Sequence, residues 1–166
     1  MTVELNVFEV LEIAEQIEQN GAEFYRKAAG IFDESEISGL FLRLANWEMK
    51  HKKIFNLMKK QLAATNNGTG KHRTNETLPE QKAMAALAVF GIRQEPSDEF
   101  NKSKSKVDII KRAIEKEKDS VVFYSGLKDF AYAGIAEEKI DNIIKEELRH
   151  IKILNKLVER MATALG

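Results

Sequence analysis

Glu147-Leu148-Arg149-His150 sets a carboxylate and an imidazole three residues apart in the run IDNIIKEELRHIKILNKLVERM. On a helix, residues three apart lie on one face. That face also carries Ile140, Ile143, Ile144, Ile151 and Leu154. An acid and an imidazole within an apolar stripe are costly to bury unless each has a partner. The pattern occurs a second time, as Glu48-Met49-Lys50-His51 on a face with Phe41, Leu44, Ala45 and Phe55. One Glu-x-x-His arises easily by chance in a charged helix. Two of them, offset by 99 at both positions (48 to 147 and 51 to 150), point to a repeat and to shared metal chemistry.

Four long helices must position these residues. The spacing predicts the first from about Val7 to Ala29, capped by Asn6 with Glu9 three residues on, and ended by Gly30. Its stripe of Val7, Val10, Leu11, Ala14, Ile17, Gly21, Phe24 and Ala28 includes Glu18. A second helix is expected from Asp33-Glu34-Ser35 to about Ala64. TNNGTGKHRTNETLP then reads as a loop, and Pro79 as the first residue of a shorter helix over 79–91. A third helix is expected from Ser105, with Asp108 as its capping partner, to Ala131, with Glu117 among its apolar positions. Gly134 marks a short turn before the fourth, Ala136 to Met161.

The 99-residue offset extends beyond the two Glu-x-x-His pairs. It lays Ala14 on Ala113, Glu18 on Glu117, Phe24 on Phe123 and Tyr25 on Tyr124. The expected fold class is therefore all-α. It is a four-helix bundle of two repeated helical hairpins, 7–64 and 105–163, joined by a long crossover, 65–104, that contains the short extra helix. All of 1–166 is expected to form one domain.

A bundle turns one face of each helix to a shared axis. The polar residues on those faces are Glu18, Glu48, His51, Glu117, Glu147 and His150. One Glu from each of two helices, with a Glu-x-x-His from each of the other two, is the established signature of di-iron and di-manganese carboxylate bundles. The charges agree. Four buried carboxylates alone would repel and take up protons, whereas two divalent cations neutralise them. Oxygen and imidazole donors without thiolate suit iron or manganese, and zinc also binds such sets. Glu48 and Glu147 are expected to bridge two ions about 3.5–4 Å apart. Glu18 and Glu117 are expected to be terminal ligands, with one His on each metal. Tyr25 and Tyr124, two turns beyond Glu18 and Glu117, either hydrogen-bond these carboxylates and serve the chemistry or are core aromatics. Trp47 is expected to pack, and Glu15 and Glu115 to be surface charges.

Composition excludes other classes. The 166 residues carry 26 basic and 26 acidic side chains, which gives no general argument for nucleic-acid or membrane binding. Without cysteine there is no disulfide, iron–sulfur or thiolate-zinc site. No apolar stretch approaches the ~18 residues needed to span a bilayer. The acidic start MTVELNVFEVLEIAEQ is unlike a signal peptide, so a cytoplasmic protein is expected. Gly68-Thr69-Gly70-Lys71 lacks the spacing of a phosphate loop, and Lys71-His72-Arg73 reads as a solvated loop.

The stretches AEQIEQNGAEFY, NWEMKHKKIF, AIEKEKDSVVFY and KEELRHIKIL resemble the rubrerythrin-like branch of the ferritin-like superfamily. The resemblance spans both hairpins. It implies a non-haem di-iron centre, often a homodimer, and iron binding by the six residues already named. It also implies an oxidoreductase that reduces peroxide or oxygen. Rubrerythrin proper carries a rubredoxin domain with four cysteines. This chain has none, so an external donor such as a rubredoxin-type protein is implied. Rubrerythrin also has a further Glu one turn after the third-helix ligand, tied to peroxide reduction. Ser120 stands there in this chain, which leaves oxygen as eligible an oxidant as peroxide. The rival expectations are a ferroxidase that hands on or stores iron, and a non-catalytic metal-binding bundle.

Overall fold

The computed structural model describes residues 7–69, 105–128 and 135–165. These form four helices: α1, Val7–Ile31; α2, Ser35–Thr69; α3, Lys106–Lys128; and α4, Ile135–Leu165. There is no strand among the described residues. α1 packs along α2 and α3 along α4, with α1 also against α3 and α2 against α4. The expected helix over 79–91, most of the expected loop and the turn at Gly134 lie outside the described residues.

Neighbouring helices run antiparallel. The start of α3 meets the α1–α2 turn, where Lys106 Nζ lies 3.4 Å from Glu34. The end of α4 meets the start of α2 through Arg160 and Glu36 at 3.3 Å. α2 is 35 residues long, about 52 Å of helix. Thr69 and Ser105 therefore lie at opposite ends of the bundle, as a crossover between hairpins requires.

Three helix ends differ from the sequence expectation. α1 continues through Gly30 to Ile31. No glycine stop is needed there, because Ser38 Oγ donates to the Ala29 carbonyl at 2.8 Å and Phe32 is buried just beyond. α2 runs past Ala64 to Thr69, so the first residues of the expected loop are helical, and Thr65 Oγ1 bonds back to the Leu62 carbonyl at 2.8 Å. α4 runs to Leu165, where Thr163 Oγ1 likewise reaches the Arg160 carbonyl at 2.9 Å. The start of α3 agrees with expectation: Ser105 Oγ accepts the Asp108 amide at 3.2 Å.

The core is two apolar clusters separated by one polar layer. One cluster joins Phe24, Phe41, Leu44, Ile110 and Leu154 near the α1–α2 turn. The other joins Val10, Phe55, Phe123, Ile140 and Ile143 towards the opposite end. Such burial, at about 25 cal/mol per Å² of apolar surface, is what holds the four amphipathic stripes together. It also fixes the polar layer between two water-excluding plugs.

Candidate metal centre

That layer contains Glu18 of α1, Glu48 and His51 of α2, Glu117 of α3, and Glu147 and His150 of α4, each no more than 3% exposed. The structure thus brings together all six residues singled out by the repeat. Their donor atoms fall into two overlapping groups, within each of which all lie within 4.8 Å of one another. One is Glu18, Glu48, His51 and Glu147, and the other is Glu48, Glu117, Glu147 and His150. Glu48 and Glu147 belong to both.

Both imidazoles turn Nδ1 inward. His51 Nδ1 lies 2.8 Å from Glu147 Oε1 and 3.5 Å from Glu18 Oε2. His150 Nδ1 lies 3.1 Å from Glu147 Oε2 and 3.5 Å from both Glu48 and Glu117. On its outer edge, His51 Nε2 is 2.7 Å from Glu146 Oε2. A carboxylate there accepts the Nε2 proton and leaves Nδ1 as the donor atom for a metal.

The tyrosines pair crosswise between the hairpins. Tyr25 of α1 donates to Glu117 of α3, and Tyr124 of α3 donates to Glu18 of α1. Each ring is also core: Tyr25 stacks on Phe41, and Tyr124 packs against Phe55. Trp47 does more than fill space, since its ring lies 5.0 Å from that of His150 with 10° between the planes. Glu15 is not a free surface charge; its side chain is only 14% exposed and lies 3.0 Å from Lys59. Glu115 is exposed, beside Lys118.

The donor set passes the test for a metal site. Glu18 Oε2, Glu48 Oε1, His51 Nδ1 and Glu147 Oε1 are buried and make no hydrogen bond among the described residues. His51 Nδ1 and Glu147 Oε1 are close enough for charge attraction, but they are not aligned as a hydrogen bond. Four orphaned polar atoms converging on one point are costly without a cation. Gly21 shows the same fit: a Cβ there would meet Glu48 Oε2 at 2.8 Å, so the backbone of α1 makes room for that carboxylate.

Without a metal, protons fill the charge deficit. Burial raises the Glu48 carboxyl well above the usual range, aided by repulsion from Glu147, Glu117 and Glu18. Burial and the charge on Glu147 raise Glu18. Burial and Glu117 push Glu147 up to about 7. Glu117 alone is lowered: burial works against its charge, but hydrogen bonds with Glu147, His150 and Tyr25 outweigh it. Burial acts against a charged imidazole too, yet Glu147 and Glu18 hold His51 up at about 11. In the same way, Glu117 and Glu147 hold His150 at about 9. Burial and the nearby carboxylates push both tyrosine hydroxyls well above their ordinary value, so they stay protonated.

These shifts predict a pH dependence. Glu147 moves from 4.5 to about 7 and His51 from 6.5 to about 11, so the folded metal-free protein binds the extra protons. Its stability is then greatest at low pH and falls as pH rises, across 4.5 to 7 for Glu147 and from 6.5 upward for His51. A metal must displace the same protons, so its affinity rises over that window. Thermal melts at pH 6 and pH 8 are expected to show a lower metal-free Tm and a larger gain from zinc at pH 8. A gain independent of pH would contradict the protonated metal-free cluster.

An all-helical bundle with a buried Glu/His cluster shared by its four helices is the architecture of ferritin-like di-iron carboxylate proteins. The rubrerythrin family model matches residues 9–88. Among solved structures, the chain is similar to a Thermotoga maritima protein described as a putative ferritin-like diiron-carboxylate protein. The likeness has a TM-score of 0.68 at 24% identity, over 96% of this chain and 98% of that one. No curated protein matches in sequence. The chain thus shares the fold of a ferritin-like diiron-carboxylate protein and is similar, over residues 9–88, to the rubrerythrin family. Its buried Glu/His cluster suits a di-iron or other di-metal site. No helix among the described residues is long and apolar enough to cross a membrane.

Proposed function

We propose that this chain holds two iron ions in the polar layer and uses them to reduce peroxide or oxygen, with electrons returned by an external donor. The observation that carries this reading is the pair of overlapping donor groups that share Glu48 and Glu147. Shared carboxylates between two donor sets are what a two-metal centre needs. Glu18 and His51 complete one half, and Glu117 and His150 the other. Two ferrous ions supply two electrons, the number that peroxide requires.

The protein's own groups do the rest. The two apolar clusters keep bulk water from the carboxylates, which strengthens every charge interaction among them. Tyr25 and Tyr124 each fix one oxygen, of Glu117 and Glu18 respectively, and hold a proton next to it. Glu146 sets the ring of His51. Manganese or zinc fits the same donors, so the native metal rests on the redox reading.

Anaerobic loading with Fe(II) followed by elemental analysis is expected to saturate at two ions per chain; saturation at one, or none, would overturn the reading. Turnover of peroxide with a reduced rubredoxin-type donor separates an oxidoreductase from a ferroxidase that releases its iron, and from a bundle that only binds metal.

The oxidant turns on Ser120. Its side chain is buried, and its hydroxyl donates back to the Lys116 carbonyl at 3.1 Å. It therefore offers no carboxylate to draw a metal away from the cluster. In stopped flow, peroxide and oxygen are expected to oxidise the di-ferrous protein within about 100-fold of each other, ~2.7 kcal/mol in barrier. Ser120→Glu is expected to raise the preference for peroxide. A wild-type preference beyond that margin would move the explanation away from Ser120.

A further inference from the structure

The repeat relates position 47 to position 146, each immediately before a Glu-x-x-His, and here the two halves differ. Glu146 sits 2.7 Å from Nε2 of His51, across the α2–α4 contact. Trp47, at the corresponding place, meets His150 across the same contact with its ring face. The two supports constrain an imidazole differently. A hydrogen bond to Nε2 selects the tautomer and fixes the direction of Nδ1. A stacked indole fixes the plane of the ring, but it permits the half-turn about Cβ–Cγ that exchanges Nδ1 for Cδ2, and it selects no tautomer. Indole offers only an N–H donor, so Trp47 cannot take the place of the carboxylate acceptor.

We infer that the two halves of the cluster are inequivalent: Glu146 is a positioning residue that readies His51, and the half built on Glu18 and His51 takes up the first metal. His150, stacked on Trp47 and bonded at Nδ1 to Glu147, must give up that bond to reach its binding direction, and its half fills second. The glutamate side chain is 46% exposed, so its charge is screened and its effect is mainly one of orientation. This inference rests on the two-metal reading above, and its test separates the two.

The probe is zinc, which is diamagnetic and needs no anaerobic handling. The chain has three histidines, so long-range 1H–15N correlation of the imidazole rings gives a simple spectrum. With the first equivalent of zinc, Nδ1 of His51 is expected to move to its metal-bound position. Nδ1 of His150 is expected to follow with the second. Glu146→Ala should weaken the first dissociation constant about 10–100-fold, the usual effect of removing such a partner, and abolish the order. Glu146→Gln keeps an acceptor and is expected to retain the order, which a purely electrostatic role for Glu146 would not. Parallel movement of both rings in the wild-type protein would overturn the inference, as would an unchanged order in Glu146→Ala. If neither ring moves after two equivalents, the two-metal reading falls and takes the inference with it.

Discussion

Glu147→Ala is expected to remove most of the stability that metal gives this protein. Glu147 belongs to both donor groups. Its Oε1 lies 2.8 Å from His51 Nδ1 and its Oε2 3.1 Å from His150 Nδ1. Losing it therefore removes a ligand from each half at once. Metal at ~1,000 times its dissociation constant stabilises the native state by about 4 kcal/mol. For a chain of this length each kcal/mol moves Tm by about 2–4 °C, so the wild-type gain should be roughly 8–16 °C. The variant should gain less than about a quarter of that. Its metal-free Tm should change far less than the metal-dependent gain, because the lost carboxylate was also a source of repulsion within a crowded cluster. Glu115→Ala is the control. It is an exposed charge whose neighbour is Lys118, and it should leave the gain intact. The measurement is a thermal melt with and without zinc or anaerobic Fe(II). A full shift in Glu147→Ala would show that the carboxylate is not shared.

The six donors were legible because their spacing records two things together. The three-residue step places Glu and His on one face, and the 99-residue offset says that the face is used twice. Apolar residues around each Glu marked it as buried, and the structure leaves all six almost without exposure. What spacing cannot record is which helix faces which, and at what register. Tyr25 lies two turns from Glu18 on its own helix, yet its hydroxyl reaches Glu117 on another. That partner follows from the antiparallel packing of α1 on α3, a tertiary property.

The part played by Glu146, and the histidine on which Trp47 packs, lay beyond the spacing for the same reason. Each stands beside a ligand in sequence, but acts on the histidine of the opposite hairpin. The side chain of Glu146 is also nearly half exposed, as a solvent-facing charge would be. The offset did contain a signal: a glutamate at 146 against a tryptophan at 47 is a departure from the repeat next to its most regular element. The helix ends were harder still. Gly30 resembles a stop, and only the contacts of Ser38 and Phe32 explain why α1 continues past it.

Gly21→Ala is expected to stabilise the metal-free protein and weaken its metal binding, two effects of opposite sign from one methyl group. Gly21 is an interior residue of α1, where alanine is favoured over glycine by about 0.8–1 kcal/mol. The added Cβ would stand 2.8 Å from Glu48 Oε2 and 3.5 Å from its Cδ and Cγ. The closest atom is the tip of a flexible side chain, so Glu48 must move and the backbone need not. In the metal-free protein that movement costs little, because Glu48 is crowded by Glu147, Glu117 and Glu18 and gains by parting from them. With metal the same carboxylate belongs to both donor groups and has to stay in place. Affinity should therefore fall by about 10–100-fold, the range seen when a ligand's immediate support is disturbed. The other half supplies the comparison. Ser120 corresponds to Gly21 at the 99-residue offset, and it already carries a Cβ. Its hydroxyl is spent on the Lys116 carbonyl, so Ser120→Ala should leave zinc affinity within about 2-fold of wild type. Calorimetric zinc titration and metal-free thermal melts of the two variants test both signs. Wild-type affinity in Gly21→Ala would mean that Glu48 has a second position from which it binds equally well. A lower metal-free Tm would mean instead that Glu48 is held in place without metal.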